Sequence, residues 1–167
     1  SVTEVIESTE NVTEAGNEVT EGASEENPVT FTDALGRDVT VTSHDRVAAM
    51  IGSFADVWLL SGGELVATAN DSWESLDLDL GDDVVNLGSI QEPNTEALLA
   101  AQPDLVIAST NTTSNVEMEN MLTEAGVTVA YFDVSDFDAY LQMLDICTDI
   151  TGRKDLYEKN GLEVQKQ

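Results

Sequence analysis

The chain has 167 residues, room for one compact domain and a tail. It carries 33 acidic against 6 basic side chains, a formal net charge of -27, and such a field repels a phosphate backbone and argues against nucleic acid as a partner. No run of about 18 apolar residues is present, as a membrane-spanning helix requires, and a single cysteine, Cys147, offers no disulfide framework.

Residues 1–27 hold eight Glu and no Lys or Arg, interspersed with Thr, Ser, Asn and Gly. Their few valines keep no period, so ordering entropy outweighs what they bury, and a disordered acidic tether is expected. Pro28 marks the change. Val29 to Asp33 and Asp38 to Thr42 alternate apolar and polar residues around Asp33-Ala34-Leu35-Gly36, which predicts a hairpin. Val47 to Ile51 reads as a buried parallel strand, and Phe54 to Leu60 as a helix stopped by Ser61-Gly62-Gly63. Leu65 to Ala69 is the next strand, Asn70 to Asp83 an irregular acidic loop containing Trp73, and Val84 to Leu87 a third strand. Asn94 or Thr95 caps a short helix whose first turn holds Glu96, favoured there by the helix dipole. Pro103 ends that helix and Leu105 to Ala108 is again a strand. Val116 to Ala125 is a helix closed by Gly126, Val127 to Phe132 a strand, and Asp136 to Ile150 an amphipathic helix. Arg153 begins one more helix, with little to pack against.

This alternation predicts an α/β fold: a mostly parallel sheet sandwiched by helices, with right-handed crossovers and a small N-terminal hairpin. The loops after the strands then gather on one sheet edge, where open α/β sheets bind ligands. Between Arg46 and Arg153 there are no basic residues and 19 Asp and Glu, so the folded part is itself acidic. His44, the one histidine, sits beside Asp45 and Arg46 at a turn, and Cys147 reads as a buried core thiol.

Several motifs occur together in order. Thr30-Phe-Thr-Asp-Ala-Leu-Gly-Arg-Asp-Val-Thr-Val precedes Arg46-Val47. Leu87-Gly88 precedes Asn94-Thr-Glu-Ala-Leu-Leu-Ala-Ala-Gln-Pro-Asp-Leu-Val-Ile-Ala-Ser, and Leu122-Thr-Glu-Ala-Gly-Val-Thr-Val-Ala-Tyr-Phe-Asp and Ile150-Thr-Gly-Arg follow. Together they resemble the substrate-binding proteins of ABC transporters that handle iron–siderophores, haem and cobalamin. The resemblance implies a Rossmann-like lobe of a two-lobe binding protein: 28–152 the N-terminal ligand-binding lobe, 153–167 the start of the inter-lobe helix, and the second lobe absent. Residues 1–27 then resemble the tether of a lipoprotein whose lipidated Cys lies outside this chain. The implied location is the extracellular face of the cytoplasmic membrane or the periplasm, with no resident cofactor and a monomeric state.

The family places the strand-end loops on one wall of the ligand cleft. Phe54 and Trp73 offer aromatic faces to a macrocyclic or planar ligand, and Asn111 offers donor and acceptor; Ser53, Gln91 and Thr112, in the same loops, complete the predicted set. Phe54 is equally a helix-start core residue and Asn111 equally a turn residue. Asp133 either faces the ligand or, preferably, caps the next helix. The resemblance assigns Glu96 to docking on arginines of the permease. The missing cations favour a neutral or cationic metal chelate, such as a hydroxamate complex or a corrinoid, over an anionic catecholate. A zinc or manganese site needs several His. A phosphate-handling enzyme needs clustered carboxylates with a nearby Lys, or a Gly-rich loop that Ser61-Gly62-Gly63 does not make. An acidic surface adhesion or interaction module using the same fold is the remaining alternative.

Overall fold

The computed structural model describes residues 22–166; the tether expected over residues 1–27 lies outside them up to residue 21. Gly22 and Ala23 pack on the lobe: both are buried, and Ala23 N–H donates to Ile150 O at 2.7 Å, while Glu25, Glu26 and Asn27 are exposed.

Strands β1 (Val29–Thr32) and β2 (Asp38–Val41) form the predicted antiparallel hairpin, in register Val29↔Val41 and Thr32↔Asp38. Val39 and Val41 are buried while Thr30, Thr32 and Thr40 are exposed, as a half-buried ribbon requires. The hairpin is clamped to the lobe through its turn. The side chain of Asp33, fully buried, accepts from Arg37 Nε (3.2 Å) and from the N–H groups of Leu35, Arg37 and Tyr131. Arg37 in turn donates to Glu119 Oε2 (2.9 Å) and Val129 O (2.6 Å), and its guanidinium lies 5.3 Å from the Tyr131 ring centre. Burial pushes the Tyr131 hydroxyl up to about 12, with the Glu119 charge adding to it.

Five parallel strands make the main sheet: β3 (Val47–Ala49), β4 (Leu65–Thr68), β5 (Val85–Asn86), β6 (Leu105–Ser109) and β7 (Thr128–Phe132), in the order β5-β4-β3-β6-β7. The chain runs outward from β3 to β5, then returns to the other side of β3, so β3 and β6 flank a topological switch point. Both faces of β3, β6 and β7 are covered, which is why they read as continuous apolar runs, whereas the short edge strand β5 is exposed. Val47, Ala49, Leu105, Ile107, Ala130 and Phe132 face one core; Ala48, Met50, Val106, Ala108, Val129 and Tyr131 face the other. Each fully buried large aliphatic side chain contributes about 1.5–3 kcal/mol.

The helices are α1 (Gly52–Leu60), α2 (Asp71–Glu74), α3 (Thr95–Ala100), α4 (Thr113–Glu117), α5 (Glu119–Glu124), α6 (Phe137–Thr151) and α7 (Lys154–Tyr157). A π-helical turn (Glu158–Leu162) and α8 (Glu163–Gln165) follow. Residues of α1, α6 and the hairpin fill the first core, and residues of α3 and α5 the second. Trp58 is fully buried and donates to Glu64 O at 2.9 Å. Gly63 permits this, since a Cβ there would lie 2.1 Å from Trp58 Cε2. His44 packs edge-on to the same indole, 6.1 Å between centres.

Three expectations are revised. The helix expected over Val116–Ala125 is two helices, α4 and α5, meeting at Met118. The Asn115 carbonyl accepts from the buried Tyr131 hydroxyl (2.6 Å) and from Met118 N, which diverts it from the α-helical ladder. The loop after β4 contains α2. The segment after Arg153 is well packed. Gly161 is buried, and a Cβ there would lie 2.9 Å from both Leu141 Cδ2 and Leu144 Cδ2. Tyr140 Oη donates to Asn160 O, and Lys154 pairs with Asp145 and Asp149.

Asp33→Ala is expected to destabilise the protein by about 1–3 kcal/mol, because Arg37 and three N–H groups lose their acceptor; a urea titration followed by circular dichroism measures it. Burial raises the Cys147 thiol to about 12, so thiolate is scarce at pH 8. Native protein should therefore resist iodoacetamide at pH 8 while urea-unfolded protein is alkylated, as intact mass would report.

Candidate functional site

The carboxyl ends of the five strands open onto loops 50–51, 69–70, 87–94, 110–112 and 133–136. All lie on one edge, beside the switch point. Hydrogen bonds join the loops after β5, β6 and β7. Ser114 Oγ donates to Ile90 O at 2.6 Å, and Asn111 Nδ2 donates to Asp133 Oδ1 at 2.8 Å. Ser109 Oγ accepts from Asn111 N at 3.0 Å, which fixes the turn leaving β6. Asn115, fully buried, accepts from Ser109 N through Oδ1 at 3.0 Å and so anchors α4 to the strand end.

These contacts shape a recess of about 370 Å³ lined by Ile90, Gln91, Asn111, Thr112, Ser114 and Glu117. Three residues predicted from sequence, Gln91, Asn111 and Thr112, come together there. Gln91 is exposed and held by Ser89, whose Oγ donates to Gln91 Oε1 and accepts from Gln91 N. Thr112 is half-buried just before α4. Ser53, exposed in the first turn of α1, and Trp73, half-buried on α2, stand in the loops after β3 and β4 and do not line this recess.

Phe54 is corrected to a core residue: it is 4% exposed and meets Phe132 edge-on, 6.2 Å between ring centres. The first turn of α1 rolls this side chain onto the sheet and leaves Ser53 outward. Asp133 is corrected from a helix cap, because Asp136 caps α6 by accepting from Ala139 N at 2.8 Å. Asp133 is exposed at the strand-end edge, paired with Asn111.

Sequence reasoning missed Ile90, Ser114, Glu117 and Asp71. Ile90 and Ser114 join through a backbone carbonyl, which leaves no pattern in the residues. Asp71 had a readable signal, a carboxylate opening the segment after a strand, but it was read as part of an irregular loop.

Glu96 is exposed in the first turn of α3. Asn94 caps that helix, its side chain accepting from Ala97 N at 3.0 Å. Because α3 begins where the loop after β5 ends, Glu96 in its first turn stands near the same edge as the loops. Every charged side chain in the strand-end loops is a carboxylate, Glu92, Asp133 and Asp136, and Asp71 at the start of α2 adds another. A larger groove of about 830 Å³ lies at the opposite edge, among the starts of β3, β4 and β5, with Arg46, Leu65, Val85 and Ala101 in its lining. It is remote from the carboxyl ends, where this sheet type receives ligands. Among the described residues no group of three or more His, Cys, Asp or Glu is placed to hold a metal ion, and no helix is long and apolar enough to cross a membrane.

Comparison with known proteins follows this geometry. Residues 47–166 match the family described as Periplasmic binding protein. No curated protein sequence matches the chain. The periplasmic catecholate-siderophore binding protein VctP from Vibrio cholerae is 18% identical, with a TM-score of 0.67 over 83% of this chain and 50% of that one. A periplasmic heme binding protein from Pseudomonas aeruginosa is 22% identical, with a TM-score of 0.62 over 74% and 44%. The molybdate periplasmic binding protein MolA of Haemophilus influenzae is 20% identical, with a TM-score of 0.58 over 77% and 48%. The chain thus spans about half the length of the structures it matches, and the likeness at these identities is one of fold. With the doubly covered parallel sheet and its convergent strand-end loops, the match over residues 47–166 establishes that this chain belongs to the periplasmic binding protein family.

Proposed function

We propose that the chain is the N-terminal lobe of an extracytoplasmic solute-binding component of an ABC importer, which captures a metal chelate or corrinoid and delivers it to a permease. The observation that carries this reading is the meeting of the loops after β5 and β6 in a recess beside the switch point, through Ser114 and Ile90. Such a recess is half a cleft. A facing lobe, for which the chain spans too little of its relatives to account, completes it. Trp73 and Ser53 would extend the wall across the loops after β4 and β3. The residues ahead of Gly22 serve as a tether from a lipid anchor on the outer face of the cytoplasmic membrane.

The charge of the wall supports a neutral or cationic ligand, such as a ferric hydroxamate or a corrinoid. No Lys or Arg lies in any strand-end loop, and a carboxylate-lined edge repels a polyanionic catecholate. Glu96, exposed at a helix start on the same edge, is suited to pair with an arginine of a permease.

Titrating the complete gene product with ferric trihydroxamate and with ferric tris-catecholate tests the ligand class. Trp fluorescence should saturate with the first at concentrations at least about tenfold lower, a difference of about 1.4 kcal/mol. Tighter binding of the catecholate would contradict the charge argument. Glu96→Arg should leave chelate affinity within about twofold, as a surface substitution does, while lowering stimulation of the permease ATPase in proteoliposomes. Unchanged stimulation would remove Glu96 from the docking surface.

A further inference from the structure

The groove of about 830 Å³ crosses the pole of the sheet where β3, β4 and β5 begin, opposite the strand-end loops. Its floor is apolar: Leu59, Leu65, Val66, Val84, Ala97 and Ala101 are all buried or half-buried. Its rim is acidic, with Asp45, Glu64, Asp79 and Asp83 exposed. Among the described residues no Lys or Arg pairs with any of these four. Arg46 is the one cation in the lining, and its guanidinium is committed to Ala101 O, with Nε at 2.9 Å and Nη2 at 2.7 Å.

One wall of the groove is an open sheet edge. Strand β5 pairs with β4 on one side only, and both its residues, Val85 and Asn86, are exposed. Such an edge is a template for an extended segment, whose main chain supplies affinity while pockets select its side chains. The loop that enters β5 sorts its residues by face. Leu78 and Leu80 turn inward against the first core, and Asp77, Asp79, Asp82 and Asp83 are left exposed. The leucines therefore serve the fold, and two of the carboxylates, Asp79 and Asp83, stand on the groove.

Charge decides the occupant. A second copy would bring a net charge of -27 into the same field, and residues 1–21 would bring six Glu and no Lys or Arg. An anionic lipid surface is repelled in the same way. What complements an apolar floor beneath an unpaired acidic rim is an apolar chain that carries positive charge. We propose that this groove docks a polypeptide segment of a partner protein in which Lys or Arg alternate with bulky apolar residues, the apolar side chains filling the floor and the cations meeting the rim. A segment seated here leaves the strand-end loops free, so its binding stands apart from the solute-binding reading.

The probe is a fluorescein-labelled peptide of alternating Lys and Leu, titrated with the complete gene product and followed by anisotropy. It should saturate at concentrations at least about tenfold lower than a peptide of alternating Lys and Ser, which keeps the charge and lacks the apolar groups. A peptide of alternating Glu and Leu should not bind. Asp79→Asn combined with Asp83→Asn should weaken the Lys-Leu peptide roughly 3- to 10-fold. Ala100→Arg puts bulk and a like charge at an exposed position of the groove wall and should weaken it at least as much. Glu124→Gln combined with Asp138→Asn removes the same charge from exposed sites off the groove, and affinity should stay within about twofold. Circular dichroism checks that each variant is folded. Equal weakening by the two double variants, or equal affinity of the Lys-Leu and Lys-Ser peptides, would reduce the contact to diffuse charge attraction and overturn the inference. No binding of the Lys-Leu peptide would overturn it as well. Dimerisation in sedimentation velocity that Ala100→Arg abolishes would give the groove to a second copy, and so also overturn it.

Discussion

The lobe depends on the parallel pairing of β3 with β6. These strands are separated by two other strands and three helices in the chain, so the pairing closes a long loop against its entropy. What holds it is burial on both faces, since every residue of both strands is buried, together with one carboxylate at the strand starts. Asp104 accepts from Ser43 Oγ, Asp45 N and Arg46 N, and its own N–H donates to Arg46 O at 2.8 Å. That lock sets Val47 opposite Leu105. Once the register is set, the remaining strands add outward on either side, the two cores form above and below, and the strand-end loops are brought to one edge.

The few cations of this acidic chain serve that architecture. Arg37 fixes the hairpin, Arg46 donates to Ala101 O and closes α3, and Lys154 joins α6 to the segment that follows. They do not contribute equally. Arg153 and Asp155 are each more than a third exposed, and such a surface pair is worth about 0–1 kcal/mol. Asp33 is fully buried beneath Arg37 and cannot lose its partners so cheaply. The strand-end edge is left with carboxylates, one of them turned inward onto Gly52. The electrostatic character of the wall is therefore a consequence of where the folding machinery has placed its positive charge.

Much of the fold was legible because period and punctuation agreed. The Val/Thr alternation around Asp33-Ala34-Leu35-Gly36 marked the hairpin, and the apolar runs ending at Gly52, Asn70, Gly88 and Thr110 marked strands of a sheet covered on both faces. The helix break at Met118 was not legible, because it depends on the Tyr131 hydroxyl capturing the Asn115 carbonyl across the sheet face. Likewise, a Phe at a helix start gives no sign of which way the first turn faces, and only the packing against Phe132 decides that Phe54 is core.

By itself, then, the sequence determined the class of sheet, the order of its elements, the edge on which the strand-end loops gather, and the absence of basic residues from that edge. These follow from local periodicity, turn chemistry and composition, which need no knowledge of distant partners. The tertiary structure alone decided which loop residues meet: Gln91, Asn111 and Thr112 in one recess, Asp133 tied to Asn111, and Asp71 seated on Gly52. Those contacts join residues 19 to 22 positions apart, side chain to side chain or side chain to backbone N–H, and such pairings become visible only once the strands have fixed where each loop begins.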